Sequence, residues 1–142
     1  MANVKMGFEG LLYYGTAGAT ASTLIQNCKD ITISGDLERG DTTVRGDSTA
    51  PPIRTEDACI RILQIEWQMI VDSTDTVYAA LKAAAANGTL VALRGKDYSS
   101  GKGPDADFSI SHNSPMPLNG EQVVTFTAIP SRSAGRTPLA YV

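Results

Sequence analysis

From Glu56 to Val71 the chain runs without a glycine or a proline, and its apolar residues recur with a period of two. Cys59, Leu63, Ile65, Trp67 and Met69 fall on one face of an extended strand and Ile60, Ile62 and Ile70 on the other, whose middle is Gln64, Glu66 and Gln68. Fully extended at about 3.3 Å per residue, such a strand reaches roughly 50 Å. A compact domain of this length is only about 37 Å across, by a sphere estimate from its expected radius of gyration. The strand therefore bends, bulges or protrudes, and the fold has to accommodate it.

The segment ahead of it is a second anomaly. Glu38 to Arg54 is polar, lies between two strand-like stretches, and far exceeds the roughly four to six residues of an ordinary connection. It holds two Arg-Gly-Asp triplets, Arg39-Gly40-Asp41 and Arg45-Gly46-Asp47, with Thr43-Val44 between them. It leaves through Pro51-Pro52, which donate no backbone hydrogen bond and stiffen the exit. Alternating charge along Asp36, Glu38, Arg39, Asp41, Arg45 and Asp47 suits paired contacts with another copy of the chain, where opposite charges fix register more than they add affinity. The segment reads as an arm that gains order on a neighbouring subunit, with a solvated loop as the alternative. An integrin reading of the triplets is weak, because so short a motif recurs by chance and Gly-Asp is ordinary turn chemistry.

The remaining elements are mostly strands. Phe8 to Tyr14, Lys29 to Glu38, Thr89 to Arg94, Asp105 to His112 and Glu121 to Pro130 each have strand character, with Phe108 and Ile110 expected inward. One helix is predicted, about Thr74 to Ala86. Asp72-Ser73-Thr74-Asp75 supplies capping residues at its start and Asn87-Gly88 stops it. Val77, Leu81 and Ala84 or Ala85 give it one thin apolar stripe, so it covers a sheet and does not form a core. The tail from Ser131 to Val142, with Arg132, Arg136 and Tyr141, is too rich in Gly, Pro and Ser for a regular element.

At 142 residues, 42% hydrophobic and 19% charged, the expectation is a single domain spanning 1–142 with a core of its own. A net charge of −3 gives no basic footprint for gripping duplex DNA. No apolar run approaches the roughly 18 residues needed to span a bilayer, and the start lacks a secretory apolar region, so a cytoplasmic product is expected. Cys28 and Cys59 have no CxxC partner and read as buried, reduced core thiols, with a disulfide as the alternative.

Catalytic patterns are weak. Gly95 to Gly103 resembles a phosphate loop, but five residues separate Gly95 from Gly101, Gly103 stands where a Ser or Thr must reach magnesium, and Pro104 with a strand follows in place of a helix. His112, the one histidine, would have to serve any nucleophilic device, and it reads as a solvent-facing turn residue. Asp105 and Asp107 share a strand face and could hold a proton or a cation between them, yet the neighbouring glycines favour a solvated hairpin end. No catalytic residue, cofactor or metal site is assigned.

Taken in order, MANVKMGFEGLLYYGTAG, NCKDITISGDLERGDTTVRG, the capped helix before NGTLVAL, PDADFSI and the closing VVTFTAIPSRS with TPLAYV resemble the tail tube (major tail) proteins of bacteriophages and prophages. The likeness runs along nearly the whole chain and rests on collinear pattern, since the family has no catalytic signature. Ser48-Thr49-Ala50-Pro51-Pro52 departs from relatives, which carry an aromatic residue there. The resemblance implies a mainly β fold, an antiparallel β-sandwich or small barrel with the helix on its flank and the long loop 38–54 between strands. It implies a non-enzymatic virion protein, assembled in the bacterial host's cytoplasm into hexameric rings stacked as a tube. The lumen would hold the tape-measure protein and pass DNA without gripping it, and tail terminator and baseplate proteins would be further partners. A head decoration protein, or the tube of a contractile injection or secretion system, is the alternative. Arg39, Asp41, Val44, Arg45, Asp47, Pro51 and Pro52 in the arm, with Arg132, Arg136 and Tyr141 in the tail, are the candidate subunit contacts.

Overall fold

The computed structural model describes residues 4–46 and 50–132, and the backbone of 140–141. The elements in order are a 3-10 turn at Gly7–Glu9, β1 Leu11–Thr16, β2 Thr23–Leu24, β3 Cys28–Asp41, β4 Glu56–Ile70, α1 Thr76–Asn87, β5 Val91–Lys96, β6 Pro104–Asn113, β7 Val123–Pro130 and β8 Ala140–Tyr141. The strands form one sheet in the order β2-β1-β5-β6-β7-β4-β3, with β8 also against β6. The mainly β, antiparallel fold with one helix is as expected. Two compact units divide the chain: Met1–Ile33 with Gln64–Val142, and Ser34–Leu63.

In the larger unit β6 is the centre. Its first half pairs with β5 from Arg94↔Asp105 to Val91↔Phe108, and its second half with β7 from Phe108↔Pro130 to Asn113↔Thr125. Beyond the end of β7, β8 takes over the same edge at Pro104↔Tyr141 and Asp105↔Ala140. Flanked on both sides, Pro104 to Phe108 is buried without a break. Gly103 enters this strand so close to β5 that a Cβ there would lie 1.7 Å from the Gly95 carbonyl oxygen, which excludes any side chain.

The core lies on the face that α1 covers. Ile65, Trp67 and Met69 of β4, Phe108 of β6, Val124 and Phe126 of β7 and Leu81 of α1 are all fully buried or nearly so. Trp67 stacks on Phe126 at 5.4 Å, and Tyr78 from the helix meets Phe126 edge-on at 6.4 Å. The helix is fixed at both ends. Asp75 accepts hydrogen bonds from the Val77 and Tyr78 amides at 3.0 and 3.3 Å, and Asn27 donates to its other oxygen at 2.8 Å. Gly88 closes the helix in the left-handed region, φ 71°, where a side chain would be strained.

Two expectations shift at element boundaries. Phe8 is not in the first strand, because the Glu9 carboxylate accepts from the Met6 amide at 2.7 Å and curls Gly7–Glu9 into a turn. β3 continues to Asp41, and the Thr42 amide then donates to the Thr55 carbonyl at 3.0 Å, so the open connection starts later than Glu38.

Candidate functional site

The unit Ser34–Leu63 consists of the distal parts of β3 and β4 and the connection between them. None of its described residues is buried, and only Gly40 and Leu63 are half-buried. It is held by its ladder and by short polar bridges at the base of the connection. The Thr42 and Thr55 hydroxyls lie 2.8 Å apart, the Thr55 amide donates to Thr43 Oγ1 at 2.9 Å, and Arg54 pairs with Glu56 at 2.8 Å. Asp41 accepts from the Thr43 amide at 2.9 Å, and bonds from the Thr43 hydroxyl and amide hold its carboxyl below the usual range. A two-stranded ribbon of this kind is marginal alone in water. It nevertheless exposes Leu37, Val44, Ile53, Ile60 and Ile62, Val44 at 76% and Ile53 at 83%.

The expectation that both cysteines are buried is corrected here. Cys59 is exposed, because no described residue buries its half of β4, and a Cβ on Gly40 would lie 2.7 Å from its sulfur. Cys28 is half-buried, and burial, with a smaller push from the Asp75 charge, raises its thiol to about 12. Both are free thiols.

Of the predicted contact residues, Arg39 and Asp41 lie on β3, and Val44, Arg45, Pro51 and Pro52 in the connection, whose base Asp41 helps to hold through Thr43. These six belong to the smaller unit and are exposed apart from their backbone pairing. Arg132 is exposed after β7, and Tyr141 contributes backbone to β8. Asp47 and Arg136 lie outside the described residues. Leu37, Ile53, Ile60 and Ile62 were not among the predicted contacts, although for Ile60 and Ile62 the apolar residues on both faces of one long strand were a signal that could have found them.

The chemical candidates separate. Asp105 and Asp107 are buried, not solvated, because β6 runs between β5 and β8 at this point. Both oxygens of Asp107 accept from the Gly18 amide at 3.0 Å, which ties the β1–β2 connection to the central strand. His112 falls on the other face of β6, by the alternation of a strand, so it shares no site with the two aspartates. It is exposed, with Nδ1 3.0 Å from the Ser114 hydroxyl, to which Lys82 donates at 2.6 Å. A strand follows Gly103, so the phosphate-loop reading stays rejected. Among the described residues no group of three or more His, Cys, Asp or Glu is placed to hold a metal ion, and no helix is long and apolar enough to cross a membrane.

No family model matches the chain, and no curated protein matches its sequence. Solved structures do. The chain is similar to the tail of an empty gene transfer agent particle of C6 symmetry, at TM-score 0.75 and 17% identity over 98% of this chain and 99% of that one. The corresponding match in the virion of a native gene transfer agent has TM-score 0.73 and 14% identity, again over 98% and 99%. The SPP1 tail tube matches at TM-score 0.68 and 10% identity, over 89% of this chain and 75% of that one. This is a tail-tube fold. Identities so low carry the fold and nothing finer. Within that fold, the arm Ser34–Leu63 is a stretch of this chain with no buried residue among those described.

Proposed function

We propose that the chain is a structural, non-enzymatic subunit of a tail tube, forming hexameric rings that stack, with the arm binding neighbouring copies. The observation that carries this is the arm itself, a ribbon with no described buried residue that presents five large apolar side chains to water. Exposed apolar surface of this kind marks an interaction site. The tail-tube fold, and the C6 symmetry of one similar tail, support a sixfold ring. A lumen passing DNA and housing a tape-measure protein fits a chain with net charge −3, since phosphates gain no counterion release from an acidic wall. Terminator and baseplate proteins would meet the tube at its ends, placing the protein in the tail of a virion.

Electron microscopy of concentrated protein tests the proposal, with rings or tubes expected. Deleting Arg39 to Pro52 should leave a folded, monomeric protein that no longer assembles. Full tubes from the deletion variant would remove the arm from the interface.

A further inference from the structure

We propose that the arm of one copy seats its apolar side chains in a groove on the larger unit of the next copy, a head-to-tail contact that rests on the tail-tube reading above. The groove measures about 1150 Å³ and runs between the 3-10 turn, β1, β2 and the start of β3. Met6, Phe8, Leu24 and Ile33 line it, and each leaves more than a third of its surface in water. The larger unit thus carries an open cleft with exposed apolar side chains among polar ones, and the smaller unit carries apolar side chains that no described core receives.

The arm holds six carboxylates against four arginines. Of the three lysines that line the groove, Lys5 is beside Glu9 and Lys29 is paired with Glu121. Lys96 has no carboxylate partner among the described residues, and is the groove cation open to an arm carboxylate. The two surfaces are different patches of one molecule, so their contact is heterologous and closes into a ring when the rotation permits. A self-complementary contact of groove with groove would instead give two-fold dimers, which a purely cyclic sixfold ring does not contain. Val44 and Ile53, the most exposed apolar residues of the arm, are the anchors, and Phe8, 84% exposed, is the groove residue they cover.

Disulfide cross-linking tests this in the full-length protein with Cys28→Ser and Cys59→Ser. One chain carries Phe8→Cys and another Val44→Cys. Mixed, assembled and mildly oxidised, they should give covalent dimers, whereas either chain alone gives none. A chain carrying both substitutions should give a ladder of higher multimers. Leu24→Cys with Ile53→Cys, run in parallel, guards against one poorly aligned pair. Separately, Phe8→Asp should raise the concentration needed for assembly at least tenfold. Tubes that form without cross-links from either pair, or that tolerate Phe8→Asp, overturn the groove assignment and leave the tail-tube reading standing. Unmodified protein that forms neither rings nor tubes overturns both.

Discussion

The two ends of β4 have the same kind of sequence and opposite environments. From Gln64 to Ile70 the side chains of Ile65, Trp67 and Met69 are buried in strict alternation, while from Glu56 to Ile62 nothing is buried, although Ile60 and Ile62 are as apolar as their counterparts. Strand propensity is continuous across the boundary, but the apolar face is not: Ile60 and Ile62 lie on the face of Gln64, Glu66 and Gln68, opposite Ile65, Trp67 and Met69. The covering differs as well: α1 closes over the side of Ile65, Trp67 and Met69, with Phe126 of the neighbouring strand β7 in the same core, and no described part of the arm closes over Ile60 and Ile62. A strand pattern thus shows which side chains can be buried together, and the rest of the chain, or a second chain, decides whether they are.

The cysteines give the largest expected contrast between the halves. Cys28, in the larger unit, has its thiol raised from 9.0 to about 12, so at pH 8 its thiolate fraction is about a thousandfold below that of an unshifted thiol. In the monomer, alkylation should be fast at exposed Cys59 and slow at Cys28, as mass spectrometry of a time course would show. The same shift has a sign for stability. The unfolded thiol ionises first, so stability present below pH 9 is lost progressively as pH rises from 9 toward 12. Equal alkylation rates at pH 8 would mean that Cys28 is no more enclosed than the arm.

Packing comes next. Trp67→Ala removes the stacking partner of Phe126 and opens a cavity under α1, with an expected cost of about 3–5 kcal/mol in urea denaturation of the monomer. Ile60→Ala, on the same strand, should shift the midpoint very little. Comparable losses from the two would erase the distinction between the halves.

Buried and exposed carboxylates extend the comparison. Asp107→Ala strips the buried acceptor from the Gly18 amide, and should cost about 1–3 kcal/mol. Asp41→Ala also loses an amide partner, that of Thr43, but in open solvent, so the denaturation midpoint should stay where it is at neutral pH. The Asp41 carboxyl lies below its ordinary value, so any contribution it makes is present at neutral pH and fades as pH falls through that lowered value. A larger midpoint shift from Asp41→Ala than from Asp107→Ala would show the arm to be the better-ordered part.

These cases also show how much of the fold the sequence reveals. α1 is legible because its signals are local: Asp75 caps its own next turn and Gly88 ends it within a few residues. The inward face of Ile65, Trp67 and Met69, and that of Phe108 and Ile110, follows from alternation alone. Burial of Asp105 and Asp107 was hidden, since it comes from Gly18 and β8, far off along the chain, and their neighbouring glycines imitate a solvated turn. β2 and β8, at two residues each, are too short to leave a periodic trace. The arm was legible as an anomaly of length and charge. Val44 was legible as a contact, whereas Leu37, Ile53, Ile60 and Ile62 were not, because period-two patterning cannot separate a face awaiting a neighbour from one already covered.

The smallest expected effect on the monomer is the one that sharpens the comparison most. Ile62 is half-exposed on the distal part of β4, so Ile62→Asp leaves no cavity and strands no buried charge, and monomer stability should change by no more than about 0.5 kcal/mol. Assembly should respond very differently, because burying a carboxylate against an apolar partner surface without a counter-charge is strongly unfavourable. Denaturation of the dilute variant beside light scattering of the concentrated one separates the two quantities. A stability loss approaching that of Trp67→Ala would mean that Ile62 packs within its own chain. Unchanged stability with unchanged assembly would mean that this face of the arm stays in water in the tube, leaving Val44 and Ile53 to make the contact.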